Sequence, residues 1–242
     1  IDAVFVGPND LHASMDLGRG PLFKVVLYEG DGGQRLLLTA HHLVIDAHSW
    51  RIVMDDLALV MEGEAPPQEP CSYKDWCLIL ARYGEQMPLA EREYWRSWDG
   101  RAIPPLALSP PATGRYRDLN TVSMRLDADR TRRLLTRCHT AYRTEINDLL
   151  LAALCRAVSA WSGQPRVALC LEGHGREDLP DGLDHSRTTG WFTTTYPVEF
   201  NVGATTLGRC IKEVKETLRA VPGKGLGFGL WKQGAGVAAT AI

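Results

Sequence analysis

Hydrophobic residues in this chain cluster in two ways, as short aliphatic runs bounded by turn residues and as positions recurring at helical spacing. "PLFKVVLYEG" and "QRLLLTAHH" are β-branched and aliphatic runs separated by the turn signal "DGGQ". They predict a β-hairpin whose second strand delivers His41 and His42. Trp50, Val53, Met54, Leu57, Val60 and Met61 then recur at helical spacing, which makes Ser49 the expected N-cap of an amphipathic helix. "SYKDWCLILARYG" and "LAEREYWRSW" predict two more helices.

Residues 101–118 hold Pro104, Pro105, Pro110 and Pro111 without any amphipathic period. Such a stretch marks a subdomain boundary, giving an N-terminal part, 1–110, and a C-terminal part, 111–242. Beyond it "NTVSMRL" predicts a strand, and Asp127 opens the helix "DADRTRRLLTRC". "TEINDLLLAALCRAVSAW", stopped by "SGQP", predicts a helix buried on most sides. "RVALCLEG" and "GWFTTTYPVEF" predict strands, and Leu207, Ile211, Val214 and Leu218 share one face of a last helix. The expected fold class is mixed α/β.

Composition narrows the function. With 242 residues, 45% hydrophobic, and 27 basic against 29 acidic side chains, the chain has no basic excess to bind nucleic acid. No run approaches the length that spans a bilayer, so no membrane partner is expected. The six cysteines form no C-x-x-C pair and mostly lie in apolar stretches, as reduced core residues of a cytoplasmic protein do. "PGKGLGFG" alternates glycines but lacks G-K-[ST] and follows a helix, which favours a flexible or closely packed loop over a phosphate loop.

Two stretches concentrate chemistry. The first is "HHLVIDAHSW", residues 41–50. Neighbouring strand residues point to opposite faces, so one of His41 and His42 faces any cleft. Asp46 and His48 would be the further ligands of a zinc site, but no H-E-x-x-H or paired-cysteine pattern is present, and no metal is expected. Ser49 and Ser186 lack the G-x-S-x-G of a hydrolase nucleophile. Asp46, at a turn entering a helix, suits pairing with an arginine that holds the loop. The second stretch is "EGHGRED", residues 172–178, where Glu172 at a strand end fits a partly buried general acid or base. A solvated turn with structural Arg176 and Glu177 fits the same spacing.

Taken in order, "HHLVIDAHSW", "INDLLLAALCRAVSAWSG", "EGHGRED", "RTTGWFTTTYPVEF" and "PGKGLGFGL" resemble the epimerization domain of nonribosomal peptide synthetases, within the condensation-domain superfamily. The resemblance implies two chloramphenicol-acetyltransferase-like subdomains in a V, incomplete here at both termini. Between them a tunnel admits the 4'-phosphopantetheine arm of a peptidyl carrier protein, and other synthetase domains are neighbours. The implied activity is inversion of the α-carbon of a tethered aminoacyl or peptidyl thioester from L to D, with no intrinsic cofactor. The implied catalytic residues are His42 and Glu172, and His41, Asp46 and Arg176 orient or support them.

"HHLVIDAHSW" is shared with condensation domains, so amide formation is one alternative, and an inactive domain that only docks a carrier protein is another. Two departures from the family pattern stand out. Ala47 replaces the glycine that usually follows the aspartate, which adds strain if that position takes positive φ. The tail "GAGVAATAI" replaces the family's "FNYLG" stretch and its tyrosine, as an early-ending reading frame would.

Overall fold

The structure, a computed structural model, describes residues 8–30, 33–103, 120–179, 183–203 and 206–234. Contacts group the chain into two compact units, Ile1–Gln86 with His174–Thr194 (unit 1), and Met87–Gly173 with Thr195–Ile242 (unit 2). The sequence-based boundary at 110/111 and the tail from 235 onward lie outside the described residues.

In unit 1, α1 (Pro8–Ala13) precedes the expected hairpin of β1 (Phe23–Gly30) and β2 (Gly33–Ala40). The pairing is antiparallel, with Val25 opposite Leu38 and Leu27 opposite Leu36. β2 ends at Ala40, so the histidine pair lies beyond the strand: His41 is extended and His42–Val44 form a 3₁₀ turn. Next come α2 (Ala47–Met61) and α3 (Tyr73–Glu85). Ser72 and Asp75 form a capping box at the start of α3, satisfying two otherwise free backbone donors. Leu11, Ile45, Ile52, Trp76, Ile79 and Phe192 form buried apolar positions of this unit. The α2 stripe expected from the sequence is displaced: Ser49 and Ile52 are buried, whereas Met54, Val60 and Met61 are exposed.

In unit 2, α4 (Leu89–Arg96), α5 (Ala128–Tyr142), α6 (Ile146–Ser162), α7 (Leu207–Arg219) and α8 (Leu226–Gly234) accompany a two-stranded sheet of β3 (Arg166–Gly173) and β4 (Thr194–Asn201). α6 packs on α7, and α4 on α8. The core gathers Trp95, Ala152, Cys155, Val198, Phe200 and Val214, all at most 1% exposed. Asp127 caps α5 by accepting from Arg130 N at 2.7 Å, as expected. Gly163 ends α6 in the left-handed region at φ 70°.

Four expectations for this half need correction. α6 buries one face only, through Leu149, Ala152 and Cys155, while Leu150, Leu154 and Trp161 are exposed. Residues 120–126 form no strand; Val122 and Met124 are each 92% exposed, and no described strand pairs with them. In "GWFTTTYPVEF" the strand begins only at Thr194. "PGKGLGFG" makes a 3₁₀ turn (Pro222–Gly225) and then the first residues of α8, with Gly225 against the Tyr196 ring. Of the cysteines, Cys71, Cys155 and Cys210 are buried, but Cys77 and Cys170 are exposed. Burial pushes the Cys155 thiol up to about 12, so it remains a thiol. Among the described residues no helix is long and apolar enough to cross a membrane.

Candidate active site

The turn 41–50 is built inside unit 1, and Asp46 is its fixed point. Its carboxylate, not Ser49, caps α2: Oδ1 accepts from Ser49 N at 2.7 Å. Oδ2 accepts from Phe192 N at 3.0 Å, and Asp46 N donates to Gly190 O at 3.1 Å. One short acidic side chain therefore closes a helix start and clamps a segment 146 residues away. Ala47 is the first residue of α2, and the described non-glycine residues at positive φ are Arg143 and Lys224, so alanine at 47 brings no left-handed strain.

Ser49, fully buried, serves as the bolt. Its hydroxyl donates to Gly190 O at 2.8 Å and accepts from Gly190 N at 3.0 Å and from Arg176 Nη2 at 2.9 Å. Arg176 also donates from Nη1 to His185 O at 2.8 Å, and Nη2 stands 3.7 Å from Asp46 Oδ1. Its guanidinium lies over the Phe192 ring, 3.7 Å from the centroid. Both charged side chains are about 95% buried, at 5% and 4% exposure.

Burial pushes the Asp46 carboxyl up, but the Ser49 and Phe192 hydrogen bonds and the Arg176 charge outweigh it and hold the group below its ordinary value of 3.8. A carboxyl with a depressed folded value contributes stability that is present above its unfolded value and lost as pH falls through the folded one. Urea unfolding between pH 5 and pH 2.5 is therefore expected to show an acid-limb loss that Asp46→Asn removes. An unchanged acid limb in that variant would contradict the assignment.

His42 is exposed on its 3₁₀ turn, and its Nδ1 lies 2.9 Å from Ile45 O. A carbonyl only accepts, so Nδ1 carries the proton and the neutral ring keeps the Nε2 lone pair for a base. His41 behaves differently: its Nδ1 accepts from Leu43 N at 3.2 Å and caps the turn that presents His42. The ring of Trp191 lies 6.1 Å from that of His42, inclined at 54°.

The 190–192 segment is held from a second side by α3. Tyr73 OH donates to Trp191 O at 2.5 Å, and burial pushes the phenol up, so it keeps the proton that it donates. A Cβ at Gly190 would fall 2.2 Å from Tyr73 Cδ2, so only glycine allows this approach. Trp76, His185 and Phe192 form an aromatic layer beneath, with centroids 4.4 Å apart for Trp76 and His185.

A cleft of about 350 Å3 in the same unit is lined by His48, His174, Arg176, Asp184, His185 and Ser186. His42 does not line it. Two of its three histidines are tied within the protein: His185 Nδ1 to Leu183 O, and His174 to Arg176 N and Glu177. Burial and the Arg176 charge press the His48 imidazole below its usual value. Among the described residues no grouping of His, Cys, Asp and Glu has the arrangement of a metal site.

Of the residues singled out in the sequence, His41, His42, Asp46 and Arg176 fall together in unit 1. Glu172 belongs to β3 of unit 2 and is exposed rather than partly buried. Sequence reasoning missed Ser49 as the hydroxyl bolt, and it missed Tyr73, Gly190 and Trp191. The one signal for them was "GWF", in which a glycine before two aromatics interrupts an otherwise plausible strand.

A profile of the family described as "Condensation domain" matches residues 7–237. The chain belongs to the condensation-domain family. It is 40% identical over 230 residues to surfactin synthase subunit 2 of Bacillus subtilis (strain 168), covering 92% of this chain and 6% of that protein. It is 39% identical over 235 residues to tyrocidine synthase 1 of Brevibacillus parabrevis, covering 92% and 21%. The solved epimerization domain from the third module of tyrocidine synthetase B superposes at TM-score 0.80 with 37% identity, over 91% of this chain and 51% of that one.

The first condensation domain of the calcium-dependent antibiotic synthetase superposes at TM-score 0.63 with 21% identity, over 84% and 48%, and shares the fold. This condensation-family chain thus spans about half of those solved domains. The mixed α/β class and the resemblance to epimerization domains are both borne out.

Proposed function

We propose that this condensation-family chain belongs to an epimerization domain. Its substrate is an aminoacyl or peptidyl thioester on the 4'-phosphopantetheine of a peptidyl carrier protein, within a nonribosomal peptide synthetase whose neighbouring domains are its other partners. The supporting observation is the 37% identity to a solved epimerization domain, set against 21% to a solved condensation domain.

A thioester carbonyl acidifies the α-hydrogen because the electron pair left by the breaking Cα–H bond delocalises into it as an enolate. His42 suits one proton transfer, since its Nδ1–H is tied to Ile45 O and Nε2 is free to take the proton. Inversion requires a second proton donor on the other face of the planar carbanion, and that role is given to Glu172. Either group serves as base for one enantiomer and acid for the other. His41 and Asp46 with Arg176 hold the turn and do not react.

Solvent deuterium is expected to enter the α-carbon of a carrier-bound aminoacyl thioester when the protein is added in D2O, with the L form passing into a mixture with D. The shared "HHLVIDAHSW" turn also suits amide formation, where His42 would position an amine. Two loaded carriers yielding a new peptide bond with full retention of α-label would select that reading. Carrier binding with neither outcome would leave a docking domain without turnover.

A further inference from the structure

Gly190 and Phe192 are buried, Phe192 at 3% exposure, yet Trp191 between them is 39% exposed. The backbone around it is pinned by five hydrogen bonds: Asp46 N and Ser49 Oγ to Gly190 O, Gly190 N to Ser49 Oγ, Tyr73 OH to Trp191 O, and Phe192 N to Asp46 Oδ2. Two buried charged or hydroxyl side chains and one phenol thus fix a residue whose ring is outside the core. The attachment point of the indole is therefore fixed, and contact with a ligand has only its two side-chain torsions left to order, with no backbone to rearrange.

The ring stands 6.1 Å from the His42 imidazole. For Nε2 to take a proton, the α-carbon must come within roughly 3 Å of it. A substituent of that carbon that extends toward Trp191 then reaches the indole face, which is the exposed aromatic surface beside His42. The amino and thioester groups are polar; the amino-acid side chain is the substituent that gains from an apolar aromatic face. We infer that Trp191 receives the side chain of the acyl group beside His42 and favours apolar side chains, an inference that rests on the epimerase reading above.

The test uses two unreactive probes, leucyl- and glycyl-aminopantetheine amides, titrated into the protein and into Trp191→Ala, Trp191→Phe and Trp191→Gln. Binding is followed by the chemical shift of the probes' α-protons. Leucyl is expected to bind the wild type about tenfold more tightly than glycyl. Alanine and glutamine at 191 should abolish that preference while leaving glycyl affinity unchanged, and phenylalanine should keep most of it. Near-UV circular dichroism checks that each variant is folded, and glutamine, similar in length and polar, separates loss of the apolar face from loss of packing.

A leucyl preference that survives both alanine and glutamine overturns the inference, as does absence of binding of either probe to the wild type. Deuterium wash-in, run in parallel, separates the two levels. Preference for leucyl that depends on Trp191 without any wash-in refutes the epimerase reading but keeps the contact. Wash-in with an unaltered preference keeps the reading and refutes the contact.

Discussion

Gly175→Ala is expected to unfold the 174–194 segment from the rest of unit 1. Gly175 is buried at φ +67°, and a Cβ there would lie 1.7 Å from Phe192 O and 2.7 Å from its carbonyl carbon. The obstacle is backbone, which no side-chain rotation relieves. It is also backbone that Asp46 holds from the other side through Phe192 N. Left-handed strain adds to the overlap, for a cost of about 4 kcal/mol or more. Hydrogen exchange read peptide by peptide should show 174–194 losing protection in the variant while α6 and α7 of unit 2 keep theirs. Wild-type protection across 174–194 would mean that Gly175 and Phe192 do not approach this closely.

Arg176→Met is expected to destabilise unit 1 by about 3 kcal/mol, because removing one partner of a buried charge pair leaves the other uncompensated. Asp46 would keep its Ser49 and Phe192 donors but lose the cation, and the Ser49 hydroxyl and the His185 carbonyl would each lose a donor. Methionine retains apolar contact with the Phe192 ring, so the deficit reports polar loss rather than an empty space. Added to Asp46→Asn, the substitution should cost less than the sum of the two alone, with a coupling of about 1 to 3 kcal/mol in a urea double-mutant cycle. Strict additivity would show that the two side chains act independently.

How far the sequence could be read depended on the range of the interaction. The hairpin, the Asp127 cap and the Gly163 stop are decided within a few residues of each site, and they were legible. The N-cap of α2 was misread because Ser49 looks locally like a good cap. Asp46 takes that place, and Ser49 is buried because its hydroxyl partners, Gly190 and Arg176, come from more than 120 residues away. The displaced stripe of α2 has the same origin, since the helix is turned to bring Ser49 and Ile52 inward.

"NTVSMRL" carries strand propensity, but propensity does not supply a pairing partner, and no described strand does so. "GWF" reads as strand because aromatics favour strands, but in the structure the strand begins only at Thr194, and Gly190 lies against the ring of Tyr73, a residue 117 positions earlier. The chemical identity of the turn was clearer than its geometry. His42 was singled out by its neighbours, but the Ile45 carbonyl that fixes its tautomer is a consequence of the 3₁₀ turn, and no spacing rule contains it.

The central proposal is that His42 and Glu172 each carry one proton transfer in the epimerization of a carrier-bound thioester. Its most direct test is α-deuterium wash-in started separately from the L- and the D-aminoacyl carrier, with wild type, His42→Ala and Glu172→Gln. The account predicts that each substitution lowers net inversion about 100-fold or more, and that each variant retains exchange from at most one of the two enantiomers. Wild-type exchange from both enantiomers in both variants would contradict it.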